Sequence, residues 1–94
     1  MNVGISIRKI RKEKELTQNE FAKMIGITQT YLSQIETGDK TPTIGVLEAM
    51  STKVKTPLPI IFWMGIEEKD IEKNKRDQFN FLKPTVDEMI KTFF

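Results

Sequence analysis

The sequence predicts an all-α protein in which five short helices precede a helical C-terminal extension. Apolar residues recur three and four positions apart in several stretches, which is the spacing of helices with one buried face. Hydroxyl residues precede three of these stretches, where they can cap a helix N-terminus: Thr17, Thr28 and Thr43. Glycines 26 and 38 end two of them, as helix stops often do. We place the boundary between the two parts after residue 64, so that residues 65–94 form the extension.

Composition limits the chain to one domain, or to one domain with an appendage, and to a moderate core. It has 94 residues, and a small chain buries a smaller fraction of its surface than a large one. The absence of cysteine and histidine excludes disulfides, thiolate metal sites and histidine general bases. The carboxylates are interleaved with lysines, which is typical of solvated helices. We therefore expect no enzymatic activity, no metal and no cofactor.

The charge distribution favours a local basic surface. The net charge is only +2, but residues 1–15 carry five basic and two acidic side chains, whereas residues 16–55 carry four of each. A phosphate-facing patch would produce such a local excess, as would chance. No apolar run approaches a membrane span, and the N-terminus lacks a signal-peptide core. We expect a cytoplasmic protein with no membrane partner.

The first three helices are expected over residues 3–15, 17–25 and 28–36. In the first helix, Ile7 and Ile10 should face the core, and the lysines form a solvated face with some reach towards phosphate. Thr17 starts the second helix, and the glutamate three positions later completes a capping-box pattern. The second and third helices each show one apolar face, formed by Phe21, Ala22, Ile25, Leu32 and Ile35.

The opposite face of the third helix is polar but uncharged. Its residues are Gln29, Thr30, Ser33, Gln34 and Thr37. A helix that needs only solubility usually carries Lys and Glu there, although an uncharged solvated face is the simpler interpretation. Amides and hydroxyls both donate and accept hydrogen bonds, and glutamine can bond an adenine edge bidentately in the major groove. The pattern therefore also favours base recognition.

A fourth helix is expected over residues 44–54 and a fifth after Thr56, which should cap it. Pro57 suits the first turn of that helix. The run over residues 58–64 is apolar on every side, so two of its faces must be buried. One face can close the core, and the other requires the C-terminal extension or a second copy of the chain.

The extension combines a charged run with a dense apolar end. Residues 67–77 read as a solvated linker or surface helix, and a last helix is expected over about 85–93. Four of the six phenylalanines lie in the final sixteen residues, which a disordered tail would not carry. The segment either folds back over the fifth helix or pairs with its twin, and we favour pairing. The expected dimer interface comprises Ile61, Phe62, Trp63, Phe79, Phe81, Leu82, Met89, Ile90, Phe93 and Phe94.

The sequence resembles the lambda-repressor/Cro-like helix-turn-helix regulators, the XRE group. The matching motifs are LTQ (16–18), FA (21–22), IGIT (25–28), YLSQIE (31–36) and TG (37–38), and the resemblance covers about residues 5–63. It implies a five-helix lambda-repressor-like DNA-binding domain over residues 1–64. It further implies a transcription regulator, expected to be a repressor, that binds a palindromic operator in double-stranded DNA as a homodimer, with the third helix in the major groove.

The resemblance also assigns roles to individual residues. Base contacts would come from Gln29, Thr30, Ser33 and Gln34, and backbone contacts from Gln18, Thr28, Tyr31, Thr37 and Lys40. Gln18 could instead only cap its helix, and Tyr31 could be a partly buried flank with a free hydroxyl. Arg11 would pair with Glu36 and lock the first helix against the third.

A second functional interpretation has a protein as the principal ligand. Antitoxins and anti-repressor-controlled switches use the same fold, and the aromatic C-terminal segment would suit a toxin or antirepressor partner. The dependence of binding on salt separates the two interpretations, because phosphate contacts give a steep fall in affinity with salt.

Overall fold

The computed structural model describes all 94 residues and contains six α-helices and no strand, which confirms the all-α class. The helices are α1 (Val3–Glu13), α2 (Gln18–Ile25), α3 (Gln29–Thr37), α4 (Ile44–Val54), α5 (Leu58–Met64) and α6 (Arg76–Ile90). Single 3-10 turns lie at Glu68–Asp70, Lys73–Lys75 and Lys91–Phe93. None of the helices combines the length and the apolar character needed to span a bilayer.

Local capping signals fix the starts of α2, α3 and α4. The hydroxyls of Thr17, Thr28 and Thr43 each accept a hydrogen bond from a backbone N–H three residues later, at 3.1, 3.1 and 3.2 Å. At the ends of α2 and α3, Gly26 and Gly38 adopt the left-handed conformation with φ of 80° and 87°. Glycine has no Cβ to penalise this conformation, so both helices end where the sequence predicts, within one residue.

Two turns differ from the expectation. The first helix ends at Glu13 because Glu15 adopts a left-handed conformation with φ of 55°. Thr56 does not cap α5; Pro57 occupies that position, and the start of α5 has no side-chain cap. Lys55 is left-handed, so the chain turns sharply, and Thr56 is buried with its hydroxyl donating to Val54 O at 3.2 Å.

The last helix is longer than predicted. It begins at Arg76 rather than near residue 85 and continues through Pro84. A proline within a helix removes one backbone hydrogen bond and disfavours helical geometry at the preceding residue, which is why the sequence suggests a break. Tertiary burial on both sides of the proline holds the helix together, because Phe79 and Ile90 are both packed inside.

A single apolar core lies between the first five helices. Its eleven buried residues are Ile7, Ile10, Phe21, Ala22, Ile25, Leu32, Ile35, Leu47, Met50, Val54 and Ile61. Helix α1 packs against α3 and α5, and α2 packs against α3 and α4. The approach of α1 to α3 is very close at Gly4, where an added Cβ would lie 2.2 Å from the carbonyl oxygen of Ile35.

The C-terminal extension folds back on α5 within this chain. The rings of Trp63 and Phe79 lie 5.7 Å apart between centroids, and the Trp63 indole N–H donates to Asp87 at 3.0 Å. The fully buried Ile61 has no surface to offer a partner, which corrects its assignment to a dimer interface. The apolar character of α5 is thus satisfied partly by the core and partly by α6.

Candidate nucleic-acid interface

The polar face of α3 points away from the core and is not covered by another helix. Gln29, Thr30 and Thr37 are exposed, and Ser33 and Gln34 are half-buried. The main packing partners of α3 are α1 and α2, whereas α6 lies against α5 on another part of the molecule. The uncharged donors and acceptors on this face of α3 are therefore accessible to a ligand.

Four polar side chains on three helices form a hydrogen-bonded chain, here called the polar relay. The Arg11 guanidinium donates to both oxygens of Glu36, at 2.8 and 3.0 Å. The Gln18 amide donates to Glu36 at 3.3 Å, and the Gln29 amide donates to Gln18 Oε1 at 2.8 Å. The relay thus connects a buried ion pair to the first residue of α3.

The relay orients Gln29 for a bidentate contact. Its amide nitrogen gives one N–H to Gln18, which leaves its second N–H and its carbonyl oxygen free. One free donor beside one free acceptor is the combination that an adenine edge requires in the major groove. Because Gln18 is fixed in turn by Glu36, the Gln29 side chain is oriented before any ligand arrives.

Sequence reasoning missed this use of Gln18. It assigned Gln18 to a phosphate contact or to capping, whereas the side chain bridges Glu36 and Gln29. The available signal was weak: Gln18 and Gln29 each occupy the first position of their helices, and the turn brings those two positions together. Arg11 and Glu36 form the ion pair described above, and Arg11 also donates to Leu16 O at 3.0 Å.

The residues expected to contact the DNA backbone differ in which hydrogen-bonding groups are unpaired within the chain. The Thr28 hydroxyl accepts from Tyr31 N at 3.1 Å and keeps its own proton to donate. The Tyr31 ring is half-buried against the core, and its hydroxyl makes no hydrogen bond within the chain. The Thr37 hydroxyl already donates to Gln34 O at 3.2 Å, while the Lys40 side chain is exposed.

One carboxylate at the start of α2 has a shifted pKa. The backbone N–H and the hydroxyl of Thr17 hold the pKa of Glu20 below its usual value, so this carboxylate stays ionised at the start of α2. No group of three or more metal-ligating side chains is gathered anywhere in the chain.

The residues expected at a dimer interface differ in their exposure. Phe79 and Ile90 are buried between α6 and the rest of the chain, and Phe62 and Trp63 are half-buried. The exposed group consists of Phe81, Leu82, Met89, Phe93 and Phe94, with exposed fractions from 37% to 86%.

These features define the class: a helix-turn-helix domain. Two short helices joined at Gly26 cross each other, and the second presents an oriented, uncharged face. The chain belongs to the XRE-type helix-turn-helix family, because the family profile described as helix-turn-helix matches residues 7–61, more than half of the chain. The resemblance recognised in the sequence and the lambda-repressor-like fold are thereby confirmed.

Two relatives come from Bacillus phage phi105. The chain is 37% identical over 59 residues to the "ImmF control region 10 kDa protein", covering 63% of this chain and 66% of that protein. It is 31% identical over 85 residues to the "Immunity repressor protein", covering 88% of this chain and 59% of that protein. The chain thus spans just under two thirds of the first phage protein and less of the second.

A third relative matches over most of its own length. The chain is 37% identical over 71 residues to "Control protein C.MunI" of Mycoplasma sp, covering 74% of this chain and 88% of that protein.

Proposed function

We propose that this protein is a transcription repressor that acts in the cytoplasm on a specific double-stranded operator. Helix α3 enters the major groove, where Gln29, Thr30, Ser33 and Gln34 meet base edges. The observation that carries the proposal is the polar relay, because it orients Gln29 outward with one donor and one acceptor free. A solvated face would need no such orientation.

Contacts to the DNA backbone lie on either side of the polar face of α3. Thr28 donates its free hydroxyl proton to a phosphate, and the unbonded Tyr31 hydroxyl serves another. Lys40 supplies a charge from the loop after α3, and Thr37 must exchange its bond to Gln34 O before it can donate. Gln18 retains one N–H beyond the relay for a phosphate near the start of α2.

Selection of bound sequences from a random duplex library tests base reading directly. The wild type should yield one preferred site, and Gln34→Ala should relax the preference at one position by about 1–3 kcal/mol. Gln78→Ala, which removes an exposed glutamine from α6, is the matched control and should leave the preference unchanged. If Gln34→Ala leaves both affinity and preference unchanged, α3 does not dock as proposed.

A phosphate contact has a different signature. Lys40→Ala should weaken binding to all sequences alike and lower the slope of log affinity against log salt by about one. Lys53→Ala, an exposed lysine near the end of α4, is the control. A sequence-dependent loss on Lys40→Ala would place this residue at a base and contradict its assignment.

We further propose that two copies bind a palindromic site through α6. Leu82, Val86 and Met89 recur at helical spacing along one side of this helix, and Phe93 continues the spacing in the 3-10 turn that follows. Leu82, Met89 and Phe93 are 51%, 60% and 41% exposed. Beside this stripe, Pro59, Ile60 and Trp63 line an apolar groove of about 300 Å³. Such a continuous apolar surface suits a self-complementary two-fold contact.

Light scattering coupled to size exclusion tests the dimer. Leu82→Glu and Met89→Glu should each shift the mass to that of a monomer, because a charge would be buried in the contact. Asn80→Glu adds the same charge to an exposed position off the stripe and should not. A monomeric wild type would contradict the dimer without affecting base reading by α3. In a dimer, the selected operator should be palindromic, with half-sites about one helical turn apart.

One observation favours a protein ligand as the second candidate function. Phe81 is 86% exposed and lies off the apolar stripe, and its ring forms no aromatic pair within the chain. An antirepressor or toxin partner could bind this residue together with the terminal phenylalanines. Such binding would fall much less with salt than operator binding does. Steep salt dependence of every interaction of the protein would exclude this function.

A further inference from the structure

A cavity of about 370 Å³ lies between α1 and α6, away from the polar face of α3. Lys9 and Lys12 line it from α1, Lys83 lines it from α6, and Lys91 lines it from the 3-10 turn that follows α6. No residue of α2, α3 or α4 takes part. The volume lies in the range of about 300–1,000 Å³ that is usual for small-molecule sites.

The four lysines differ in how they are paired. Lys83 bonds Asp87, whose other oxygen accepts from Trp63, so the Asp87 carboxylate is satisfied within the protein. Lys91 pairs with Glu88 on an exposed surface, where an ion pair contributes little. Lys9 and Lys12 have no partner among the ion pairs of the chain.

The floor of the cavity is apolar. Its apolar lining residues, here called the floor, are Met64, Ile90 and Phe94, and its two acidic side chains are Glu13 and Asp87. The four lysine and two acidic side chains of the lining together carry a net charge of two positive. The cavity therefore offers both positive charge for an anionic group and apolar contact for a hydrocarbon body.

We infer that this cavity binds an amphipathic carboxylic acid. Lys9 and Lys12 lie three positions apart on one face of α1 and hold the carboxylate between them. The apolar body of the ligand lies on Met64, Ile90 and Phe94. A simple anion would leave the floor unused, and an uncharged or cationic amphiphile would leave the unpaired ammonium groups without a partner.

The chain carries its own reporter of this site. Trp63 is the single tryptophan, and its indole N–H donates to Asp87, which lines the cavity. A bound acid changes the surroundings of Asp87 and hence the emission of Trp63. It also joins α6 to α1, so it should raise the unfolding temperature, as any ligand that binds only the folded state does.

Decanoate is the probe, used below its micellar concentration and titrated against Trp63 fluorescence with the full chain. Decanol supplies the apolar body without a charge, and decylammonium supplies it with the opposite charge. Inorganic phosphate supplies an anion without an apolar body. We expect saturable binding of decanoate, with a raised unfolding temperature, and no saturable binding of the other three. Equal binding of phosphate or decylammonium would overturn the assignment, as would no binding of decanoate.

Two variants locate the ligand. The double substitution Lys9→Gln and Lys12→Gln should weaken decanoate binding about tenfold or more, since it removes the charged donors. Its matched control, Lys73→Gln with Lys75→Gln, removes the same charge from exposed positions outside the cavity and should bind as the wild type does. Phe94→Ser removes part of the floor at the end of the chain, away from the core, and should also weaken binding. Unchanged affinity in both cavity variants would place the ligand elsewhere.

Discussion

Removing Arg11 should destabilise the fold by about 3–5 kcal/mol, because it leaves a buried carboxylate without its counter-charge. The Glu36 side chain is only 3% exposed. Two of its three hydrogen bonds come from the Arg11 guanidinium, at 2.8 and 3.0 Å, and the third is the longer bond from Gln18 at 3.3 Å. After Arg11→Ala, a single neutral donor would have to stabilise a full negative charge.

This free energy converts to a large shift of the melting temperature. At about 2.1 cal/mol/K per residue, the entropy of unfolding of a chain of this size is about 200 cal/mol/K, so the expected loss corresponds to about 15–25 °C. Circular dichroism at 222 nm, followed during heating at neutral pH, measures the shift. Arg8→Ala is the matched control because Arg8 is exposed on the same helix, and it should change stability by less than about 0.5 kcal/mol.

A double-mutant cycle separates a buried ion pair from simple loss of packing. Arg11→Met combined with Glu36→Leu removes both charges and keeps apolar volume, so it should recover most of the stability lost by either change alone. If the losses of the single variants simply add, the two side chains do not act as a pair. A loss below about 1 kcal/mol on Arg11→Ala would refute the reasoning as well, since that is the range of exposed pairs.

Three further predictions follow from the backbone and from α6. Gly4→Ala should cost at least about 2 kcal/mol in urea unfolding, because the new Cβ would lie 2.2 Å from Ile35 O; a neutral effect would mean that α1 can move aside. Gly45→Ala should instead stabilise by about 0.5–1 kcal/mol, since the nearest atom to its Cβ is a side-chain oxygen at 3.9 Å and alanine favours helix; destabilisation would contradict this. Burial raises the pKa of Asp87, but hydrogen bonds from Lys83 and Trp63 outweigh it and leave the pKa below the ordinary 3.8. Its stabilisation of α6 is therefore complete above pH 3.8 and lost as pH falls through the lowered pKa; Trp63 fluorescence should report this loss, and Asp87→Asn should abolish it.

The sequence predicts those parts of the fold that local chemistry determines. Helices α2, α3 and α4 each start at a hydroxyl that accepts a hydrogen bond from the backbone N–H three residues later. The ends of α2 and α3 depend on Gly26 and Gly38. Such signals span fewer than five residues, so they can be read from the chain directly. The uncharged face of α3 follows from these boundaries and from helical periodicity alone.

Long-range packing determines what the sequence does not predict. Pro84 signals a helix break, and only the burial of Phe79 and Ile90 against the rest of the chain explains why α6 continues through it. Ile61 sits in an all-round apolar run, where periodicity cannot distinguish the side that meets the core from the side left for a partner. The contact of Gln18 with Gln29 likewise depends on how two helices cross, not on either helix alone.

Under the proposed function, the polar relay makes stability and DNA recognition depend on the same side chains. Glu36 holds α1 against α3 through Arg11, and the same carboxylate fixes Gln18, which orients Gln29. Substitutions at Gln18 test the recognition half alone, because this residue is not part of the ion pair. Gln18→Ala should therefore leave most of the stability intact while it frees the Gln29 side chain to rotate, so that base preference at the Gln29 position falls without a matching loss of folded protein. Such a separation of base preference from stability would show that the relay, and not the ion pair alone, gives the uncharged face of α3 the rigidity that the proposed base reading requires.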